Sequence, residues 1–424
     1  MKVAQHNSIP NCRLVCKAWN YHFLPRFRKE FCVKLNEWRS VEKFVQLLEN
    51  CKEIPYSRFH MSRVSMNDPW VEAVFELCGD VMAGLTLEMT KDDIDICQFR
   101  EILLFRAPNL NELSFDTLEG LPEEVTNHCR LFPSWYNRTD HLQRRDLSLK
   151  TINLRFSSAK QFHSQFLTQL FQACPSLEEI NFRRFVKGNN DSGTELFINA
   201  FAHTESWRSL NSLNLGQIEN HCLVTLTHID GLRLRKFSFE YLTADVRDET
   251  VESFLKSQSE NLEELILNEY FGNNHLYVDF PAMSSLKKLC VTAFDKSQIV
   301  PRKPVCYVND FPKLETLEVY GWQNTFPWDI YFSRQQNPAG LYSLRKLQPP
   351  YRINEVHYLQ RLGQLFPAVI HADITSPSND VLEQLWSTWS ELEVLEVFLD
   401  CKMFYYLSMW CTHTVTIATR CDRE

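Results

Sequence analysis

The sequence predicts an α/β solenoid of curved parallel strands with outer helices, and three observations predict it. The pattern L-x-x-L-x-L, with other apolar residues tolerated at the leucine positions, recurs twelve times between Met82 and Val397. The copies begin at residues 82, 110, 149, 177, 210, 234, 262, 286, 314, 344, 369 and 392, so most spacings fall between 23 and 30 residues. Between the copies, several segments carry apolar residues at helical spacing. One such unit cannot cover its own apolar face, so neighbours must stack into a continuous core.

Each element follows from local chemistry. Phe31, Val33 and Leu35 alternate as a half-buried strand does, Val41 to Leu48 reads as a helix, and Arg58 to Met66 reads as a divergent first repeat. The first good copy is Met82, Leu85 and Leu87; the last is Leu392, Leu395 and Val397. The end of each copy alternates apolar and polar residues, which makes it a short strand. In Phe162 to Cys174, Phe162, Phe166, Leu170 and Phe171 share one helical face. Pro175 stops that helix and Leu177 opens the next strand. Phe99 to Ala107, Val251 to Leu255, Tyr358 to Leu365 and Leu382 to Trp389 repeat the layout. Leu344 and Leu347 form a broken copy cut by Pro349 and Pro350, and Val369, Ala372 and Ile374 a weak one. The period is that of leucine-rich repeats.

Composition narrows the function classes. The 424 residues carry 45 Lys and Arg against 53 Asp and Glu, a net charge of −8. That balance disfavours general binding to nucleic acid or to anionic membranes, so neither is expected as a partner. Glycine numbers only 11, roughly 3% against an average near 7%. Phosphate-cradling motifs are absent: there is no G-x-G-x-x-G and no P-loop string. The polar stretch Met1 to Pro10 lacks the apolar core of a signal peptide, and no run approaches the ~18 apolar residues of a membrane span. The 14 cysteines then read as reduced thiols of a cytoplasmic or nuclear protein.

Site chemistry is sparse in the sequence. There is no C-x-x-C, no H-E-x-x-H and no G-x-S-x-G. Cys401, Cys411, His413 and Cys421 form a loose group that reads as thiols packed in a capping segment. No metal, no cofactor and no catalytic residue is expected, and the chain is not read as an enzyme.

In a solenoid, strands line the concave wall, and the residues between the inward apolar positions face out from it. These include Ser114 and Asp116, Asn153 and Arg155, Asn181 and Arg183, Asn214 and Gly216, Ser238 and Glu240, Ile266 and Asn268, Cys290 and Thr292, Glu318 and Tyr320, and Glu396 and Phe398. Arg155, Arg183, Glu240, Asn268, Glu318, Tyr320, Trp322 and Phe398 are the substrate-binding candidates, the aromatics being the residue types that anchor interfaces. Two insertions, Glu119 to Ser148 and Gly321 to Leu341, lengthen the period; the second carries Trp322, Pro327, Trp328 and Pro338. Insertions of this kind map to loops on one face and are often used in binding.

Asn11 to Asn20 reads Asn-Cys-Arg-Leu-Val-Cys-Lys-Ala-Trp-Asn, a short amphipathic helix with Leu14, Val15 and Ala18 on one face and Trp19 beside it. The string resembles the closing helix of an F-box, and it precedes leucine-rich repeats. The chain therefore resembles the F-box/leucine-rich-repeat proteins, substrate receptors of SCF-type ubiquitin ligases. The resemblance implies that Leu14, Val15 and Trp19 dock on the ligase's adaptor subunit, which joins a cullin scaffold, while the repeats hold a protein substrate. It covers the closing helix only; the Leu-Pro opening and earlier helices of the module are expected to be missing here. The resulting organisation is a partial F-box segment over 1–30, a transition or N-terminal cap over 31–60, the solenoid over 61–400 and a C-terminal cap over 401–424. The alternative is a leucine-rich-repeat scaffold that binds a partner protein without ligase association.

Overall fold

Every apolar position of the twelve motifs is buried, from Met82, Leu85 and Leu87 to Leu392, Leu395 and Val397. The computed structural model describes residues 31–49, 51, 54, 56–65, 68–89, 106–117, 147–156, 164–184, 193–271, 275–293, 299–321, 326–350, 353, 355–375, 377–399 and 414–419. The helix with Leu14, Val15 and Trp19, the residue Trp322 and the group Cys401, Cys411, His413 and Cys421 lie outside them. The chain divides into two units, Met1–Leu210 and Asn211–Glu424.

Among its described residues the first unit contains six parallel strands in chain order: β1 (Cys32–Leu35), β2 (Arg58–Ser62), β3 (Gly84–Met89), β4 (Glu112–Thr117), β5 (Thr151–Phe156) and β6 (Glu179–Arg184). The register aligns like with like. Phe59 pairs Leu85, which pairs Leu113, then Ile152 and Ile180. β1 lies in the segment read as a transition, and it joins the same parallel ladder.

Helices α1 (Trp38–Leu48), α2 (Pro69–Cys78), α3 (Ser164–Gln172) and α4 (Gly193–Ala202) return the chain between strands. α2 starts where the sequence signals it: Asp68 accepts the Trp70 N–H at 2.8 Å and Pro69 occupies the first turn, where its missing N–H costs nothing. Phe171 lies edge-on to Phe197 at 5.3 Å and to Phe201 at 5.5 Å, and Phe182 stacks on Phe197 at 4.5 Å. Burying each such ring contributes roughly 1.5–3 kcal/mol.

Among its described residues the second unit carries nine parallel strands in one ladder: β7 (Ser212–Ile218), β8 (Lys236–Thr243), β9 (Glu264–Phe271), β11 (Lys288–Ala293), β13 (Thr316–Gly321), β14 (Lys346–Gln348), β15 (His371–Thr375), β16 (Val394–Leu399) and β17 (Thr414–Thr419). The broken and weak sequence copies are β14 and β15, still in register: Leu317 pairs Leu347, which pairs Ala372. Behind the sheet lie α5 (Asn220–His228), α6 (Asp248–Gln258), the short α7 (Tyr307–Asp310) and α8 (Trp328–Tyr331), then α9 (Val356–Leu365) and α10 (Asn379–Thr388).

A helix does not return in every repeat. After β9 and β11 the outer layer is a pair of parallel strands, β10 (Leu276–Val278) and β12 (Ile299–Pro301), the first packed against α6. Val278, Ile299 and Val300 are β-branched and buried, and Pro301 and Pro304 forbid a helix there.

One backbone device fixes the register from repeat to repeat. In both units, carbonyls at strand entrances accept two N–H groups from the next repeat. The oxygen of Asn111 takes those of Lys150 and Thr151 at 2.8 and 3.0 Å, and that of Arg235 takes those of Glu263 and Glu264 at 2.7 and 2.9 Å. Both lone pairs are used, so a one-residue slip of a strand would leave donors unpaired as well as exposing its apolar set.

The second insertion behaves differently from a surface loop over its described part. Trp328, Tyr331 and Phe332 are buried, and Trp328 stacks on Tyr358 at 4.2 Å. The Tyr331 hydroxyl donates to the Ile299 carbonyl at 2.7 Å. Trp328, Tyr331 and Phe332 are therefore core of the outer layer.

Candidate functional site

Alternation along each strand puts one residue set into the core and leaves the other on the open face of the sheet. In the first unit that face is a set of side-chain ladders between neighbouring strands. Asn181 Nδ2 donates to Asn153 Oδ1 at 2.7 Å, and Asn153 Nδ2 donates to Ser114 Oγ at 2.9 Å. Beside this amide ladder, Arg58 pairs with Glu112 at 2.7 Å and His60 Nε2 lies 3.1 Å from Glu88. Arg155 stands 3.9 Å from Asp116, and burial holds the Asp116 carboxyl above its ordinary range against the pull of Arg155. Arg183 is on β6, but its side chain lies outside the described residues.

In the second unit the open face is again paired across strands. Lys236 pairs with Glu264 at 3.3 Å and Lys288 with Glu318 at 3.0 Å. Desolvation opposes the charge on Lys288, but the hydrogen bond to Glu318 and the charges of Glu318 and Glu264 outweigh it and raise the ammonium above its usual value. Asn268 donates to the Phe239 carbonyl at 2.6 Å and accepts from Thr292 at 3.2 Å, so its amide braces the sheet from both ends. Glu240 is half-buried on β8. Tyr320 is half-buried on β13 and hydrogen-bonded to Gln348; desolvation first, then the Glu318 carboxylate, pushes its phenol up to about 12. Phe398 is on β16, with its side chain outside the described residues.

Two wall positions are more enclosed than alternation alone implies. Cys290 and Thr292 are buried, and desolvation pushes the Cys290 thiol up to about 12. The thiol is therefore protonated and weakly nucleophilic at neutral pH.

Sequence reasoning missed the tightest cluster on this face. Asp373, buried on β15, receives Lys346 Nζ at 2.8 Å on one carboxylate oxygen and His371 Nε2 at 2.7 Å on the other. His371 Nε2 also stands 3.5 Å from Glu396. The signal was present: His371 and Asp373 alternate with Val369, Ala372 and Ile374 less cleanly than other copies do, and Lys346 opens the broken one. Those two copies are weak in leucine, so their outward residues were not counted with the wall.

The fold and this face define a class: leucine-rich-repeat units presenting a polar, hydrogen-bonded strand face bearing Tyr320 among matched charges. Neither the family models nor the curated proteins compared with the chain match it. Among solved structures, the chain is similar to one described as the crystal structure of a Rad7 and Elc1 complex in yeast, with 14% identity, 98% of each chain covered and a TM-score of 0.44. Among the described residues, no helix is long and apolar enough to cross a membrane.

Proposed function

We propose that the chain is the substrate-recognition subunit of an SCF-type ubiquitin ligase, acting in the cytoplasm or nucleus. The observation that carries this reading is the string Cys12 to Asn20 ahead of a leucine-rich-repeat array. Leu14, Val15 and Trp19 dock on the adaptor subunit, which links to the cullin. A target protein lies on the strand face of the second unit, where Glu240, Glu318 and Tyr320 offer charge and one aromatic anchor. The chain itself performs no chemistry. It holds a substrate lysine close to the charged ubiquitin donor, and the gain is effective concentration.

Support from the face is of two kinds. Its ion pairs bridge neighbouring strands or, for Arg58 and Glu112, strands two apart, so the charges are held in place before a partner arrives, which lowers the ordering cost of binding. Tyr320 is a large amphipathic side chain of the kind found at hot spots.

The test is affinity capture of the tagged full-length chain from cells. Recovery of adaptor and cullin, lost together in the Leu14→Asp, Trp19→Ala double variant, is the expected result. Recovery of a partner protein without adaptor or cullin, from folded chain, would replace this reading with the scaffold one.

A further inference from the structure

The junction of β7 and α5 brings three metal-ligating side chains to one point. Glu219 follows the strand as the N-cap residue of α5, and His221 and Cys222 lie in the first turn of the helix. His221 Nε2 stands 3.5 Å from Glu219 Oε2 and 3.5 Å from Cys222 Sγ, and all three donor atoms lie within 4.8 Å of one another. We propose that Glu219, His221 and Cys222 form a binding site for a zinc-class divalent transition metal. The inference is independent of the ligase reading.

The distances carry the argument. Tetrahedral zinc with a nitrogen at ~2.05 Å, a sulfur at ~2.3 Å and an oxygen at ~2.1 Å spaces its ligands about 3.6 Å (N to S) and about 3.4 Å (N to O). The two edges seen here are those lengths. The N–O edge exceeds an ordinary charged hydrogen bond by more than half an ångström, and the N–S edge, within reach of a sulfur hydrogen bond, is equally the ligand spacing around a metal ion. The donor set of one thiolate, one imidazole and one carboxylate suits zinc, which takes all three. Three protein ligands leave a fourth position, and the His221 side chain, 43% exposed, opens the site toward solvent.

The surroundings orient the carboxylate. Glu219 sits at the helix N-cap, yet its side chain makes no capping bond. Its other oxygen, Oε1, accepts from Gln217 Nε2 at 3.4 Å, and Gln217 Oε1 accepts from the Tyr241 hydroxyl at 3.0 Å. Tyr241 thus fixes Gln217, and Gln217 turns Oε2 toward His221, the arrangement of an outer shell around a metal ligand. The first turn of α5 favours anionic ligands through its N–H groups. Cys222 is itself buried; on binding, its thiol gives up its proton, which passes out to solvent, and the sulfur lone pair binds the ion. Thiolate and carboxylate together neutralise the divalent charge.

The group His371, Asp373 and Glu396 also gathers possible ligands but does not make the same case. Its shortest edge is a 2.7 Å hydrogen bond, and the Lys346 ammonium at 2.8 Å already compensates Asp373.

The experiment uses the full-length chain. Cobalt(II) chloride is added to wild type, His221→Ala and Cys222→Ser, and zinc chloride affinity is measured by competition with a chelating dye. Wild type is expected to show the thiolate-to-cobalt charge-transfer band with tetrahedral d–d bands, and to bind one more equivalent of zinc than either variant. Gln217→Leu, which keeps all three ligands, should weaken zinc by ~10–100-fold. If Cys222→Ser fails to fold, His221→Ala, altered at a half-exposed side chain, decides alone. Unchanged cobalt bands and zinc stoichiometry in folded His221→Ala, or no thiolate band in wild type, would overturn the site.

Discussion

Gln258 Oε1 accepts the backbone N–H of Leu234 at 3.0 Å, with the side chain of the first and the whole of the second buried. The two residues are 24 apart, one repeat length, and lie at the end of α6 and the opening of the β8 motif. The same solution recurs elsewhere: Trp389 Nε1 donates to the Phe366 carbonyl at 2.9 Å, Asn337 Nδ2 to the Val305 carbonyl at 2.9 Å, and Ser206 Oγ to the Phe171 carbonyl. In these four places a side chain of one repeat satisfies a backbone group of its neighbour that the turn between elements leaves unpaired.

Gln258→Leu keeps the volume and removes the acceptor, so the Leu234 N–H is buried without a partner. The expected loss is ~1–3 kcal/mol, measured by urea unfolding, with faster amide exchange at Leu234 than at neighbouring strand amides. A change within error in both readings would show that water or another acceptor replaces Gln258.

Gly79 and Gly84 predict opposite tolerances. A Cβ at Gly79 would lie 1.6 Å from the carbonyl oxygen of Arg106, and backbone must move to admit it. A Cβ at Gly84 would meet only the Arg58 side chain, its Cγ at 3.1 Å, where Arg58 crosses toward Glu112. Gly79→Ala is expected to destabilise at or beyond the upper end of ~1–3 kcal/mol, and Gly84→Ala to stay under ~1 kcal/mol. Equal thermal shifts in the two variants would contradict the packing described.

Asp116 gives a pH-dependent prediction. Burial raises its folded-state pKa above the usual value, so between the two values the folded chain binds more protons than the unfolded one. Stability from this group therefore falls as pH rises from about 4 through the folded pKa, and is unaffected below about 4. Asp116→Asn removes the titration. Relative to wild type it should gain stability as pH is raised across that window and show no gain under acidic conditions. A gain that grows instead toward low pH would reverse the assignment.

The solenoid was legible because its driving term, burial of apolar residues at a fixed period, is written directly in Leu85, Leu113, Ile152 and their successors. The strand pair β10 and β12 was not, since three-residue strands such as Leu276–Val278 are too short to show a period. The charged face was half legible: Glu318 and Tyr320 alternate with strong motif leucines, whereas Asp373 and His371 sit in a copy whose apolar signal is diluted by Ala372. The Glu219, His221 and Cys222 group was not legible, because its residues carry no paired ligand spacing. These three converge only where a strand turns into a helix, which is a property of the fold.

Tyr320 separates recognition from packing. It is half-buried on the open face, its ring supported by the sheet and its hydroxyl held by Gln348, while the core side of β13 is filled by Leu317 and Val319. Truncating it removes contact area from the face without opening a cavity in the core. Tyr320→Ala is therefore expected to lower capture of the bound target by ~10-fold or more, the scale of an interface hot spot, and to change unfolding free energy by less than ~1 kcal/mol. Tyr320→Phe, which keeps the ring, should retain most of the capture. The readout is quantitative co-purification with each variant, paired with thermal unfolding of the same samples. A large stability loss with Tyr320→Ala would mean that the ring holds β13 to β14. Unaltered capture with unaltered stability would mean that the target lies elsewhere on the face, and Glu318→Lys would then locate it.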